Sequence, residues 1–214
     1  MVNLFTTYYE DEKRQRELDL VLSLNEGSDS IDCVYLLDES GRLAQAKQIS
    51  GRPTFQQIFD YVNEVTKVDD INIVANSDIF FDEEGIEIAK LLLEPNDCWA
   101  LTRWDIIPER RISEQRSDIW STTYIPEHAE FMNRRDSQDT WVFRGKVKPG
   151  NYDFQIGMPG CDNRMAYELQ QAGYNISNPS LTIKTFHLHK GEERSWHGKP
   201  QVPQPYLLIN PTEI

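Results

Sequence analysis

The chain has 214 residues, 39% of them hydrophobic, enough for one cored globular domain and too few for a second independent one to be expected. Its 35 acidic against 22 basic side chains give a net charge of -13, which argues against a broad surface that tracks nucleic acid but permits a local basic pocket. Arginines do gather in one third of the chain, at Arg103, Arg110, Arg111, Arg116, Arg134, Arg135 and Arg144, although solvated surface positions explain most of such a run.

Three cysteines, Cys33, Cys98 and Cys161, are odd in number and widely spaced, which fits neither a disulfide framework nor a zinc knuckle. A reducing, cytoplasmic setting is expected. The first residues show no basic and apolar leader pattern, and no later run approaches the length of a transmembrane span.

In chain order, Val2 to Tyr8 is an apolar, β-branched run that predicts a strand, and Glu10 to Asn25 carries leucines on a charged, helix-favouring background. Ile31 to Leu37 and a short run from Ala46 to Ile49 predict two more strands, the first ending in the turn-rich Asp38-Glu39-Ser40-Gly41. Thr54 is placed to cap a helix over Phe55 to Val65, where Phe55, Ile58, Phe59 and Val62 recur at helical spacing. Ile71 to Ala75 is the clearest strand; a helix from about Glu84 to Leu93 and a strand over Cys98 to Trp104 follow. This alternation predicts a single α/β domain, Rossmann-like, with a mostly parallel central sheet flanked by helices.

Residues 105 to 136 break the pattern, and so long a connection reads either as a lid or acceptor loop or as an insertion without catalytic consequence. The chain thus divides into a first half, 1 to 104, this loop, and a second half, 137 to 214. In the second half Thr140 to Phe143 predicts a strand, and Gly157 to Asn163 a tight turn into a helix that ends at Gly173. Ile183 to His189 predicts a last strand with His187 and His189 on one side, and the proline-rich stretch from Pro200 to Pro211 an extended surface wrap.

The most informative residues are Asn76-Ser77-Asp78, where the buried run Ile71 to Ala75 stops. Open α/β sheets place ligands at the carboxyl ends of their strands, and Asp78 offers a hard cation an oxygen while Asn76 and Ser77 add neutral polar groups. The plainer explanation is that these residues cap the following helix. Likewise Asp162 sits where it could cap a helix, and a histidine pair such as His187 and His189 is more often strand surface than metal site.

Their order along the chain resembles that of GT-A type nucleotide-sugar glycosyltransferases, of the family 2-like kind. The resemblance rests on Ile73-Val-Ala-Asn-Ser-Asp-Ile79, Ser137-Gln-Asp-Thr-Trp-Val-Phe143, Gly157-Met-Pro-Gly-Cys-Asp-Asn163 and His187-Leu-His189. It implies a nucleoside diphosphate sugar donor, a hydroxyl-bearing acceptor, and a divalent metal, manganese or magnesium, held by Asp78 with His187 or His189. It further implies that Asp162, or failing it Asp139, acts as catalytic base in an inverting transfer. Thr6, Thr7, Asp38, Arg52, Asn76, Ser77 and Arg103 would bind the donor, and the Trp141 ring would pack on its sugar. The chain departs from the pattern at Asn76, where the class has an acid; Asp82 is the nearest second carboxylate, roughly 13 Å from Asp78 along an extended chain. Nucleotidyl transfer ranks lower because Thr6-Thr7-Tyr8-Tyr9-Glu10 lacks a glycine-rich, basic phosphate loop. A nucleotide-sugar-binding protein without full catalysis, and transfer to a nucleic-acid base or other polymer, are the remaining alternatives.

Overall fold

The computed structural model describes residues 1–106, 129–188, 198 and 200–214. A seven-stranded sheet has the order β10-β6-β9-β4-β1-β2-β3. Its strands are β1 (Val2–Tyr8), β2 (Cys33–Asp38), β3 (Lys47–Gln48), β4 (Ile71–Ala75), β6 (Asp97–Leu101), β9 (Thr140–Arg144) and β10 (Asn175–Ser177). Among the described residues four helices accompany them: α1 (Gln15–Glu26), α2 (Phe55–Val65), α3 (Glu83–Leu92) and α4 (Cys161–Gln171). The α/β architecture agrees with the expectation, but the sheet is mixed, because β9 runs antiparallel between β4 and β6.

Alternation along the inner strands divides the core. Phe5, Val74, Trp141 and Phe143 face α2 and α4 and pack with Phe55, Phe59, Met165 and Leu169. Leu4, Ile73 and Val142 face the opposite way, onto Ile86 and Ala89 of α3. The Trp141 ring meets Phe55 edge-on at a centroid distance of 4.9 Å and is fully buried.

A second sheet, which the hydrophobic pattern did not announce, has the order β5-β11-β7-β8. It joins β5 (Ile79–Phe81), β7 (Trp104–Ile106), β8 (Ala129–Phe131) and β11 (Thr185–His187). The predicted strand from Cys98 to Trp104 is therefore two, since the Thr102 amide turns away to bond Ser180 Oγ and Asn178 Oδ1. Of the expected lid or acceptor loop, residues 107–128 lie outside the described residues, and its two ends pair as β7 and β8.

Helix starts also moved for local reasons. α1 begins only at Gln15 because the Asp11 carboxylate binds the amides of Lys13 and Arg14 in a turn. α2 begins as expected, with a reciprocal cap between Thr54 and Gln57. Among the described residues no helix is long and apolar enough to cross a membrane.

Candidate active site

Because β1, β2, β4 and β6 are mutually parallel and β9 opposes β4 and β6, the carboxyl ends of four strands and the start of β9 share one edge. Thr140 pairs with Ala75 on one side and Leu101 on the other. The residues just beyond, Asn76, Asp139 and Arg103, are brought together by that register. Asn76 Nδ2 donates to Asp139 Oδ1 at 2.7 Å, and Arg103 Nη1 reaches both Asp139 oxygens at 3.0 and 2.9 Å. Asp139, 6% exposed at its side chain, is thus a fixed anchor with both oxygens engaged, and the geometry does not offer it as a free base.

Asn76-Ser77-Asp78 is a turn from β4 into β5, closed by the Ile79 amide on the Asn76 carbonyl. It is not a helix cap: α3 starts five residues after Asp78, behind Asp82, which lies away from the cleft. The second sheet then delivers the histidine. His187 pairs with Ile79 on one side and Asp105 on the other, so its ring lies between two carboxylates. Nδ1 is 2.6 Å from Asp105 Oδ1 and Nε2 is 3.2 Å from Asp78 Oδ2. An Arg14 guanidinium nitrogen is 2.9 Å from that same Asp78 oxygen.

These contacts set the charges. Burial alone would raise the Asp78 pKa, but His187 and Arg14 hold it well below the usual carboxylate range. Burial would likewise depress His187, and the Asp78 charge and the Asp105 hydrogen bond raise it instead.

On the opposite wall, Gly160 adopts a left-handed conformation (φ 79) and α4 begins at Cys161, inside the predicted turn, which puts Asp162 in the first turn. A side chain at 160 would be strained there and would meet Tyr206 Oη at 2.7 Å. The Asp162 carboxylate accepts a bond from Cys161 Sγ at 3.1 Å. Desolvation and the nearby Asp139 charge push its pKa well above the ordinary range. The extended chain after residue 200 braces this wall: Val202 donates to the Pro159 carbonyl, Leu207 to that of Asn163, and Arg164 Nη1 binds the carbonyls of Pro203 and Gln204.

Between the walls lies a cleft of about 460 Å³. Of the residues singled out from the sequence, Thr7, Arg52, Asn76, Ser77, Asp78, Arg103, Asp139, Asp162 and His187 line it. Its charged lining includes four arginines (Arg14, Arg52, Arg103, Arg134) and four aspartates (Asp78, Asp136, Asp139, Asp162), a balance unlike that of a chain with 13 excess acids. Arg52 lies over the Tyr9 ring at 5.6 Å, with no carboxylate partner among the described residues.

Four expected residues are placed elsewhere or not at all. Trp141 lies in the core with no free ring face for a sugar. Asp38 is fully buried, its oxygens bound by the amides of Ser40 and Leu43, the Ser40 hydroxyl and Gln48 Nε2, which leaves it a turn-former rather than a donor contact. Thr6 points away from the cleft into a small cavity beside α1. His189 lies outside the described residues. Conversely, Tyr9, Arg14 and Asp105 were missed; Tyr9 was within reach as the residue just past β1, whereas Arg14 and Asp105 depend on the α1 turn and the β7–β11 pairing, which carry no sequence signal.

Asp78 Oδ2 and His187 Nε2 converge on one region, although no group of three His, Cys, Asp or Glu does so among the described residues. For a hard cation that keeps water and phosphate oxygens as most of its shell, a carboxylate and an imidazole suffice, and Asp105 on Nδ1 fixes the ring as metal-bound histidines require. Asp78 and His187 are thus the two described side chains placed to offer a divalent metal ligands. Compared with known families and characterised proteins, the chain matches no family model and no curated sequence.

Proposed function

We propose that the chain is a GT-A type glycosyltransferase, acting in the cytoplasm, that moves a sugar from a nucleoside diphosphate donor to an acceptor hydroxyl. The observation that carries this reading is the meeting, across one cleft, of Asp78 and His187 with Asp162 and the arginines. Departure of a nucleoside diphosphate builds negative charge on its phosphates, and the Arg52 side chain, with no carboxylate partner among the described residues, is suited to bind it there.

Asp78 and His187 would hold the divalent ion, which when bound supplies Lewis-acid stabilisation of the leaving group. Asp162, on the facing wall, would accept the proton of the acceptor hydroxyl as the new bond to the anomeric carbon forms, giving inversion. Its raised basicity suits that task, because a carboxylate of ordinary pKa is a weak base toward an alcohol. Asp139 and Asn76 would keep Arg103 and the turn in register.

A binding protein without full catalysis is favoured by one observation, the engagement of Asn76 with Asp139 where the class supplies a second acid. Thermal melts with nucleoside diphosphates and nucleotide sugars, each with manganese, magnesium or chelator, test the shared step. A metal-dependent rise in Tm with one base is expected. No rise with any nucleotide would overturn both readings, and binding without transfer across an acceptor screen would leave the second.

A further inference from the structure

Arg14 takes no part in the chemistry above, yet it approaches Asp78 more closely than His187 does, at 2.9 against 3.2 Å, and on the same oxygen. Both side chains are nearly enclosed, Arg14 at 13% and Asp78 at 14% exposure. A carboxylate oxygen has two lone pairs, and here a guanidinium and an imidazole face them. A divalent ion brought to this oxygen meets a positive charge already in contact with it, so the two cations oppose each other. Arg14 stands at the cap of α1 with its Nε on Glu17 at 3.2 Å and its Nη2 on Asp78, so Nη2 can change partners while Nε stays held, and the side chain also lines the cleft.

We propose that Arg14 and a divalent cation compete for Asp78, and that Arg14 is itself a diphosphate-binding residue. The inference rests on reading the cleft as a diphosphate site. With no metal bound, Arg14 is the cation held at Asp78. When a metal takes Asp78, the guanidinium turns toward the phosphate oxygens, which it can bind in a bidentate way. A purely structural tie between α1 and the β4–β5 turn predicts something different: loss of stability on substitution, with no gain in metal affinity.

The test is calorimetric titration of the full chain with Mn2+ alone and, separately, with inorganic pyrophosphate in chelator, for wild type, Arg14→Gln and Arg14→Lys. Arg14→Gln is expected to bind Mn2+ about tenfold more tightly and metal-free pyrophosphate about tenfold more weakly, the scale of one charge-assisted contact. Arg14→Lys should move both values the same way by less, and it decides the matter should the glutamine variant fail to fold. Unchanged or weaker Mn2+ binding, or undiminished pyrophosphate binding, overturns the inference. Wild type that needs metal to bind pyrophosphate overturns it too while leaving the transferase reading standing. Wild type that binds neither pyrophosphate nor any nucleoside diphosphate, with or without metal, sinks both.

Discussion

At Asp162 one carboxylate is left with a thiol as its side-chain hydrogen-bond donor, while Asp139, nearby in charge, has both oxygens bound by Arg103 and Asn76. That contrast separates the proposed base from the anchor. Asp162→Asn should lower transfer by about 100- to 10,000-fold while leaving nucleotide affinity intact, measured by kcat and by titration. On the proposed mechanism Asp162 acts only when ionised, and because its pKa is raised, by burial first and by Asp139 second, transfer should fall as pH drops through a value above the ordinary carboxylate range. Asp139→Asn removes one of those causes and should move the acid limb to lower pH. Asp38 works in the opposite sense. Burial would raise its pKa, but hydrogen bonds from Ser40, Leu43 and Gln48 bring it from 3.8 to about 2. Its stabilisation is therefore complete above the unfolded value and disappears as pH falls through the folded one, a contribution of roughly 2 kcal/mol. Asp38→Asn should lose that stability at neutral pH and flatten the acid end of the Tm profile. Asp78 and Asp162, which both line the cleft, could be singled out in the sequence because each sits at the end of a strongly patterned element. It misread Asp38, since a carboxylate at a strand end looks the same whether it faces a ligand or folds back on its own turn.

Elements with a long apolar period were readable: β1 and β4 have the predicted limits, and α2 carries its expected cap at Thr54. Thr54→Ala should cost about 1 kcal/mol in denaturant unfolding, the usual value of a side-chain cap. Three-residue strands were harder to read. β11 lies inside the strand predicted over Ile183 to His189, but β5 and β7 acquire their identity from pairing with it, Phe80 opposite Phe186 and Asp105 opposite His187, and such pairing between distant short runs leaves no trace in either of them alone. Yet these strands supply the histidine and its orienting carboxylate. The Gly157–Cys161 turn is built to a similar tolerance. Gly160→Ala forces an L side chain into a left-handed conformation against Tyr206 and should cost about 1–3 kcal/mol in unfolding experiments. Transfer should suffer more than stability, since the same turn carries Asp162.

Across the whole molecule the site is made by two sheets and a strap, none of which contains it alone. β4 and β9 bring Asn76 and Asp139, the second sheet brings His187 and Asp105, and α4, braced by residues 202–207, brings Asp162. The core beneath is a continuous aromatic cluster of Phe55, Phe59, Trp141 and Phe143, joined mainly edge to face. Phe59→Ala at its centre should lower unfolding free energy by about 3–5 kcal/mol and so test whether the cleft survives a softened floor. The strand order also has a kinetic consequence. Both sheet neighbours of β6, β9 and β10, lie later in the chain, whereas β1, β2 and β4 can pair as soon as they are made. The apolar residues Cys98 to Leu101 must therefore wait, unpaired, until synthesis has passed residue 144. One half of the sheet can form early and bury α2, while the half that finishes the cleft closes last around an antiparallel strand driven between two parallel ones, the slow, non-local step of this fold.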